Sequence, residues 1–288
     1  FAGAHGFEGK TSIDASQIYS NAVLNKFAPV KLNDLILIDC SNGACSEPVQ
    51  AGLDSYEKIN FVSSNPNGSN INLDCGALEP ERLLGLVRGG GDDYGGAFDG
   101  DGDRAVFVSA AYGVIESEKL LFLFYQILKS AGHSNVVVAT EICNLALAHN
   151  LQEIGVDLIE TEVGDRFVTE EVRARNAVIG GEPSGHYNFP ASSKCMDGFL
   201  GLMHFLQVLE SYGSDLTNQL FALKHYDRVV KNIYINKNDV INLQDIQKEL
   251  SLEINSTEEK LVIRRSIWDP VLRVYYDFMH VNRFIEIE

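Results

Sequence analysis

Apolar residues fall in short blocks separated by turns. Residues 15–26 read as a helix, and Leu35-Ile36-Leu37-Ile38-Asp39 reads as a buried strand that breaks into the polar turn Cys40-Ser41-Asn42-Gly43. A second strand, 59–63, runs into Pro66-Asn67-Gly68-Ser69-Asn70, which is turn chemistry throughout. A helix over 80–88 stops at Gly89-Gly90-Gly91, and a run of small and apolar residues at 95–98, an acidic loop and a strand at 104–109 follow. The pattern then restarts with an amphipathic helix at 118–130, a buried strand at 136–139, a helix at 144–154 and a strand at 156–161. The openings Leu35-Ile36-Leu37-Ile38-Asp39 and Val136-Val137-Val138-Ala139-Thr140 begin similar units about 100 residues apart. After Leu223 the chain changes character, with strands predicted at 229–236, 261–264 and 273–276, some alternating with period two. The expectation is an α/β protein: two related α/β domains with mixed sheets, 30–113 and 114–222, then a smaller α+β domain, 223–288, with 1–29 as a remnant or linker.

Composition narrows the function. With 45% hydrophobic and 22% charged residues in 288, the chain is of globular type. Its formal net charge of −17 repels nucleic acid and anionic membrane, so neither is expected as a partner, and an anionic substrate would need a local cluster of Arg or Lys. The longest clean apolar run, 120–125, is far short of the roughly 20 residues that span a bilayer. No charged segment with an apolar core follows Phe1, so no export signal is expected. The five cysteines are odd in number and lack a C-x-x-C pair, which suits small buried residues in a reducing cytoplasm.

The strongest chemical signal is Asp99-Gly100-Asp101-Gly102-Asp103-Arg104. Carboxylates at alternate positions on a glycine-rich loop can converge on one point, where their mutual repulsion asks for a hard cation; oxygen ligands on a tight loop favour Mg²⁺. An EF-hand begins with similar spacing, yet counting from Asp99 its obligatory Gly and Glu places hold Arg104 and Ala110. A solvated acidic turn is the other reading, and the flanking strand with the adjacent Arg104 favours the metal site.

Gly96-Ala97-Phe98-Asp99-Gly100-Asp101-Gly102-Asp103-Arg104 resembles the metal loop of the α-D-phosphohexomutase superfamily, the phosphoglucomutases, phosphomannomutases and phosphoglucosamine mutases. Asp39-Cys40-Ser41-Asn42-Gly43-Ala44 and Asn70-Ile71-Asn72-Leu73-Asp74-Cys75-Gly76 resemble the same second domain. Glu162-Val163-Gly164-Asp165-Arg166-Phe167-Val168 resembles the family's V-G-D-R segment, and Gly180-Gly181-Glu182-Pro183-Ser184-Gly185-His186 its sugar-recognising G-E-x-S-G-H loop. Taken alone, that last stretch reads as an ordinary turn. A carboxylate and a hydroxyl two residues apart can nonetheless accept and donate hydrogen bonds to vicinal sugar hydroxyls. The resemblance implies Asp99, Asp101 and Asp103 as Mg²⁺ ligands, and Glu182, Ser184, His186 and Arg166 as substrate contacts. Arg104 and His186 then take supporting roles.

Two departures stand out. The family's phosphate loop, R-x-S-G-T-E-P-x-x-R, corresponds to Arg264-Arg265-Ser266-Ile267-Trp268-Asp269-Pro270-Val271-Leu272-Arg273. Arg264, Ser266 and Arg273 are kept as phosphate contacts, but Ile267 and Trp268 replace the Gly-Thr that lets backbone amides approach a phosphate. The first domain's A-S-H-N-P string, whose serine carries the phosphoryl group, does not occur; Ala2-Gly3-Ala4-His5-Gly6 lines up with it only by placing Ala4 at the serine position. No catalytic residue is therefore assigned. The resemblance implies Mg²⁺-dependent transfer of a phosphoryl group within a hexose phosphate, with short loops of the bacterial phosphoglucosamine-mutase type. This chain alone is expected to be inactive, either because a partner or further sequence supplies the serine, or because it is a pseudoenzyme serving as a binding or assembly subunit.

Overall fold

The computed structural model describes residues 14–129, 134–235, 242–243, 245–246, 257–265 and 270–278. The first helix, α1 (Ala15–Leu24), starts where the Asp14 carboxylate accepts from the Gln17 amide at 2.9 Å. It precedes β1 (Ile36–Asp39), α2 (Ser46–Leu53), β2 (Ile59–Val62), α3 (Pro80–Gly90), β3 (Tyr94–Phe98), β4 (Ala105–Ser109) and β5 (Gly113–Ile115). These strands form one sheet in the order β2-β1-β3-β4-β5, parallel from β2 to β3 and antiparallel beyond.

A second sheet follows from α4 (Ser117–Leu128), β6 (Val136–Thr140), α5 (Leu145–Glu153), β7 (Asp157–Thr161), α6 (Asp165–Arg175), β8 (Ile179–Gly181) and β9 (Tyr187–Asn188). Its order is β7-β6-β8-β9, again parallel across the first three strands and antiparallel at the last. The predicted repeat is thus visible as topology: β2-β1-β3-β4 and β7-β6-β8-β9 share one arrangement. Both sheets are mixed, as expected. Gly180 and Gly181 let helices close on both faces of the second sheet. A Cβ at Gly180 would lie 2.5 Å from Val172 of α6, and one at Gly181 would lie 2.8 Å from Leu121 of α4.

The chain then returns through α7 (Gly198–Tyr212) and α8 (Leu216–Ala222). Apolar on nearly every side, α7 lies against the first sheet, where Phe205 stacks on Phe107 of β4 with centroids 4.2 Å apart. Both rings are fully buried, each worth about 1.5–3 kcal/mol by area. One continuous core runs from Val23 through β1, α4 and β6 to Leu220, so α7 welds the two sheets.

The remaining described strands, β10 (Asp227–Tyr234), β11 (Glu259–Arg265) and β12 (Val271–Phe278), form an antiparallel sheet ordered β10-β12-β11. Arg228 grips the buried Asp277 with two contacts of 2.6 and 2.8 Å, and Asp277 also accepts from the Leu145 amide at 2.9 Å. An orphan donor at the N-terminus of α5 is thereby satisfied from the third sheet. On the same sheet Arg264 and Arg273 are direct cross-strand partners.

Several expectations need correction. Cys195 is exposed, whereas the other four cysteines are buried as predicted. Helices α2, α6, α7 and α8 and strands β5, β8 and β9 were not anticipated. No helix among the described residues is long and apolar enough to cross a membrane.

Candidate metal and sugar site

The acidic loop joins β3 to β4 and folds on itself. Asp99 Oδ1 accepts from the Gly102 amide at 3.1 Å and the Arg104 amide at 3.2 Å. Gly102 sits at φ +81°, and a Cβ there would meet Cys45 Sγ at 2.5 Å, so this corner needs glycine twice over. The turn after β1 braces the loop from behind: the Ala44 amide donates to Gly100 O at 2.9 Å, and Ser41 Oγ donates to Asp99 O at 2.9 Å. The three carboxylates offer one oxygen each, all within 4.8 Å of one another. Asp99 is buried, Asp103 partly so, and Asp101 exposed.

Arg104 Nε lies 3.0 Å from Asp99 Oδ2 and 3.8 Å from Asp103 Oδ1. Neither Arg104 Nε nor Asp103 Oδ1 has an aligned hydrogen-bond partner, so these contacts are charge pairing without directed bonds. A buried carboxylate oxygen left without a donor is costly. An oxygen-only set of this kind suits a hard divalent cation, and the residues present fit Mg²⁺.

The second half of the site reaches the first through backbone pairing. Ala105 N donates to Gly185 O at 3.0 Å, and Arg104 and His186 form an isolated antiparallel bridge. The turn closes through Glu182 N to His186 O, 3.0 Å, and Gly185 N to Glu182 O, 3.2 Å. His186 is the joint: its Nε2 stands 3.3 Å from Asp103 Oδ1, while its Nδ1 shares a 2.9 Å hydrogen bond with Ser184 Oγ and lies 3.7 Å from Glu182 Oε1. Burial pushes the carboxyls of Asp99 and Glu182 up, with Asp103 adding to both shifts; Arg104 opposes both, and His186 opposes that of Glu182. Burial, the largest cause of both shifts, disfavours the charged carboxylates there.

Beside this joint opens a cleft of about 530 Å³ lined by Arg104 and Ser184, with Leu78 and Ile115 on the first-sheet side, Asn144 from the second, and Arg228 from the third. Its size suits a small-molecule ligand.

The family described as phosphoglucomutase/phosphomannomutase, alpha/beta/alpha domain III, matches residues 116–226. Phosphoglucosamine mutase of Shouchella clausii is 34% identical over 247 residues, 83% of this chain and 55% of that protein. That of Ruthia magnifica is 32% identical over 246 residues, 83% of this chain and 56% of that protein. Among solved structures, a phosphoglucomutase/phosphomannomutase family protein from Burkholderia thailandensis superposes with TM-score 0.76 at 19% identity, covering 93% of this chain and 61% of that one. Aspergillus fumigatus N-acetylphosphoglucosamine mutase, in complex with GlcNAc-6P and magnesium, gives TM-score 0.70 at 15% identity, covering 91% and 66%. These structural likenesses speak to the fold. Over the part that matches, this is an α-D-phosphohexomutase superfamily chain. It spans about half the length of the curated relatives it matches, 55% of the first.

The other residues singled out by superfamily resemblance are dispersed. Arg166 sits in the first turn of α6, its side chain 77% exposed, with Nε 2.9 Å from Glu170 Oε1. It does not pair with Asp165, whose charge instead helps raise Glu182. Arg264 and Arg273 are half-buried neighbours, and Arg264 partly offsets the burial that raises the Glu141 carboxyl. Ser266, Ile267 and Trp268 lie outside the described residues, as does Ala4. Ser41, Cys45 and Gly198 brace the acidic loop without having been anticipated; they act through distant contacts that leave no local pattern.

Proposed function

We propose that this chain supplies the metal-holding, sugar-holding and phosphate-holding parts of a phosphohexomutase, and that its sugar is a hexosamine phosphate. The observation that carries the reading is His186, whose two ring nitrogens touch Asp103 of the acidic loop and Ser184 of the 182–186 turn. The sugar class rests on the names of the relatives, phosphoglucosamine mutases.

In this reading Asp99, Asp101 and Asp103 hold Mg²⁺. When bound, the ion neutralises charge developing on a transferred phosphoryl group. Arg104 steadies Asp99 and Asp103. Glu182 and Ser184 orient sugar hydroxyls, with His186 fixing the Ser184 hydroxyl. Arg264 and Arg273, with Ser266, grip the resting phosphate through charge-assisted bonds. Residues 30–113 then form the metal-bearing domain, 114–222 the sugar-bearing domain and 223–288 the phosphate-bearing domain. The free cysteines support a reducing, cytoplasmic setting for the chain.

Because the 288 residues contain no A-S-H-N-P string, the chain by itself should turn over negligibly. Ile267 and Trp268, in place of Gly-Thr, favour a second reading in which the chain only binds a phosphosugar as a subunit of something larger. Calorimetric titration of Mg²⁺ into the wild type and Asp101→Ala tests the site: equal weak binding by both removes the metal claim. A coupled assay with glucosamine 1-phosphate, Mg²⁺ and a bisphosphate activator tests the inactivity, which clear turnover would defeat.

A further inference from the structure

Away from the acidic loop, a cavity of about 470 Å³ lies between α6, β9 and residues 190–194, lined by Thr169, Arg173, Asn188, Ser193 and Lys194 among others. No carboxylate lines it, in a chain with 40 acidic residues against 23 basic ones. Helix α6 carries three arginines. Arg166 is tied to Glu170 at 2.9 Å and Arg175 to Glu171 at 2.7 Å, each one helical turn away. Arg173 has Thr169 and Ala177 at those spacings, and it makes no ion pair among the described residues. Lys194 makes none either. It rides on a braced turn in which the Ser192 and Ser193 amides both donate to Phe189 O at 2.8 Å and the Cys195 amide donates to Ser193 Oγ at 3.2 Å.

The floor of the cavity is polar and fixed. Asn188 is only 2% exposed, and its Nδ2 donates to Thr169 Oγ1 at 3.3 Å. It faces Gly180 across the ladder, one step along the same sheet face from the Glu182 and His186 pair. Two cations from separate elements thus line a recess that supplies amide and hydroxyl groups and no competing acid.

We propose that this cavity is a second anion site, taking the phosphate group of a small molecule or free phosphate between Arg173 and Lys194, with Asn188 and Thr169 beneath. Charge-assisted bonds from two cations supply the affinity, and the acid-free lining removes the repulsion that the rest of the surface presents. The proposal does not depend on the metal or the sugar turn.

Titration of inorganic phosphate, and separately of glucosamine 6-phosphate, into isotopically labelled chain tests it through the side-chain amide resonances of Asn188 and of Asn176, which also lines the cavity. Saturable shifts with either probe are expected, and the tighter probe separates free phosphate from a phosphorylated metabolite. Lys194→Gln, a change on an exposed turn, should weaken binding at least about fivefold, and Arg173→Gln with Lys194→Gln more than about tenfold. Arg264→Gln should leave these resonances and their affinity unchanged. No shift up to about 50 mM of either probe, or equal shifts in Lys194→Gln and wild type, overturns the site.

Discussion

The Gly198 amide donates to the Gly102 carbonyl across 2.9 Å, so the first residue of α7 holds the middle of the acidic loop. A methyl group at Gly198 would sit 2.5 Å from Arg104 O and 2.8 Å from Gly102 O, both backbone atoms of that loop. Neither can swing aside as a side chain would. Gly198→Ala should therefore displace Asp101 and Asp103 relative to Asp99 and weaken divalent-ion binding about tenfold, roughly 1.4 kcal/mol. Calorimetry with Mg²⁺ on folded variant protein checks it, and unchanged affinity would separate the α7 contact from the loop's geometry.

His186→Ala removes the ring that stands between Asp103 and Ser184. Without it the Ser184 hydroxyl loses its fixed partner, and Glu182 loses the nearby group that favours its charged form. Binding of glucosamine 6-phosphate should fall by about tenfold through lost preorganisation, with the far-ultraviolet circular dichroism unchanged. An affinity equal to the wild type would mean that Ser184 and Glu182 do not face the sugar.

The Arg228–Asp277 pair predicts a stability effect. Asp277 is 1% exposed and also receives the Leu145 amide, so Asp277→Ala leaves both a cation and a helix-end donor without their acceptor. A loss of about 3 kcal/mol in urea unfolding is expected. Converting both partners, Arg228→Met with Asp277→Leu, removes the stranded cation but leaves the buried Glu118 carboxylate, 3.9 Å from Arg228, without its neighbouring charge, so the double change should still destabilise.

A histidine in the core sets a pH response. His204 is stacked on Phe189 at 4.1 Å, with Phe27 at 4.8 Å, and burial pushes its imidazole down to about 4 from the ordinary 6.5. The unfolded chain therefore takes up a proton that the folded chain refuses. Its contribution is fully present above pH 6.5 and is lost as pH falls through 4, about 3 kcal/mol in all. His204→Phe should flatten the stability profile in that window relative to wild type, as measured by urea unfolding at a series of pH values.

The contrast between what could and could not be read from the chain has physical causes. Strands β1 and β6 are announced by unbroken apolar blocks ending in polar turns, and the buried patterns of both match. The acidic loop is equally local, since its shape depends on Gly100 and Gly102 within it. Helix α7 escaped notice because it is apolar nearly all round and shows no stripe. Helix α6 was hidden for the opposite reason: only Val168 and Val172 are buried in an otherwise charged stretch. Arg166 was named by its motif alone, and its pairing with Glu170 one helical turn on has no signal in that motif. What the loop rests on, Ser41 and Cys45 from one direction and Gly198 from another, depends on contacts between residues some 60 to 100 positions apart, flagged by nothing nearby in the sequence.

The facing arginines of the third sheet carry a thermodynamic consequence. Like charges set directly opposite on neighbouring strands cost the ladder up to about 1 kcal/mol. Any anion that settles between Arg264 and Arg273 would cancel that penalty as it binds. Occupancy and the integrity of β11 and β12 are then linked by mass action, and slower amide exchange along these strands with rising phosphate would register the ligand even where no reaction is catalysed.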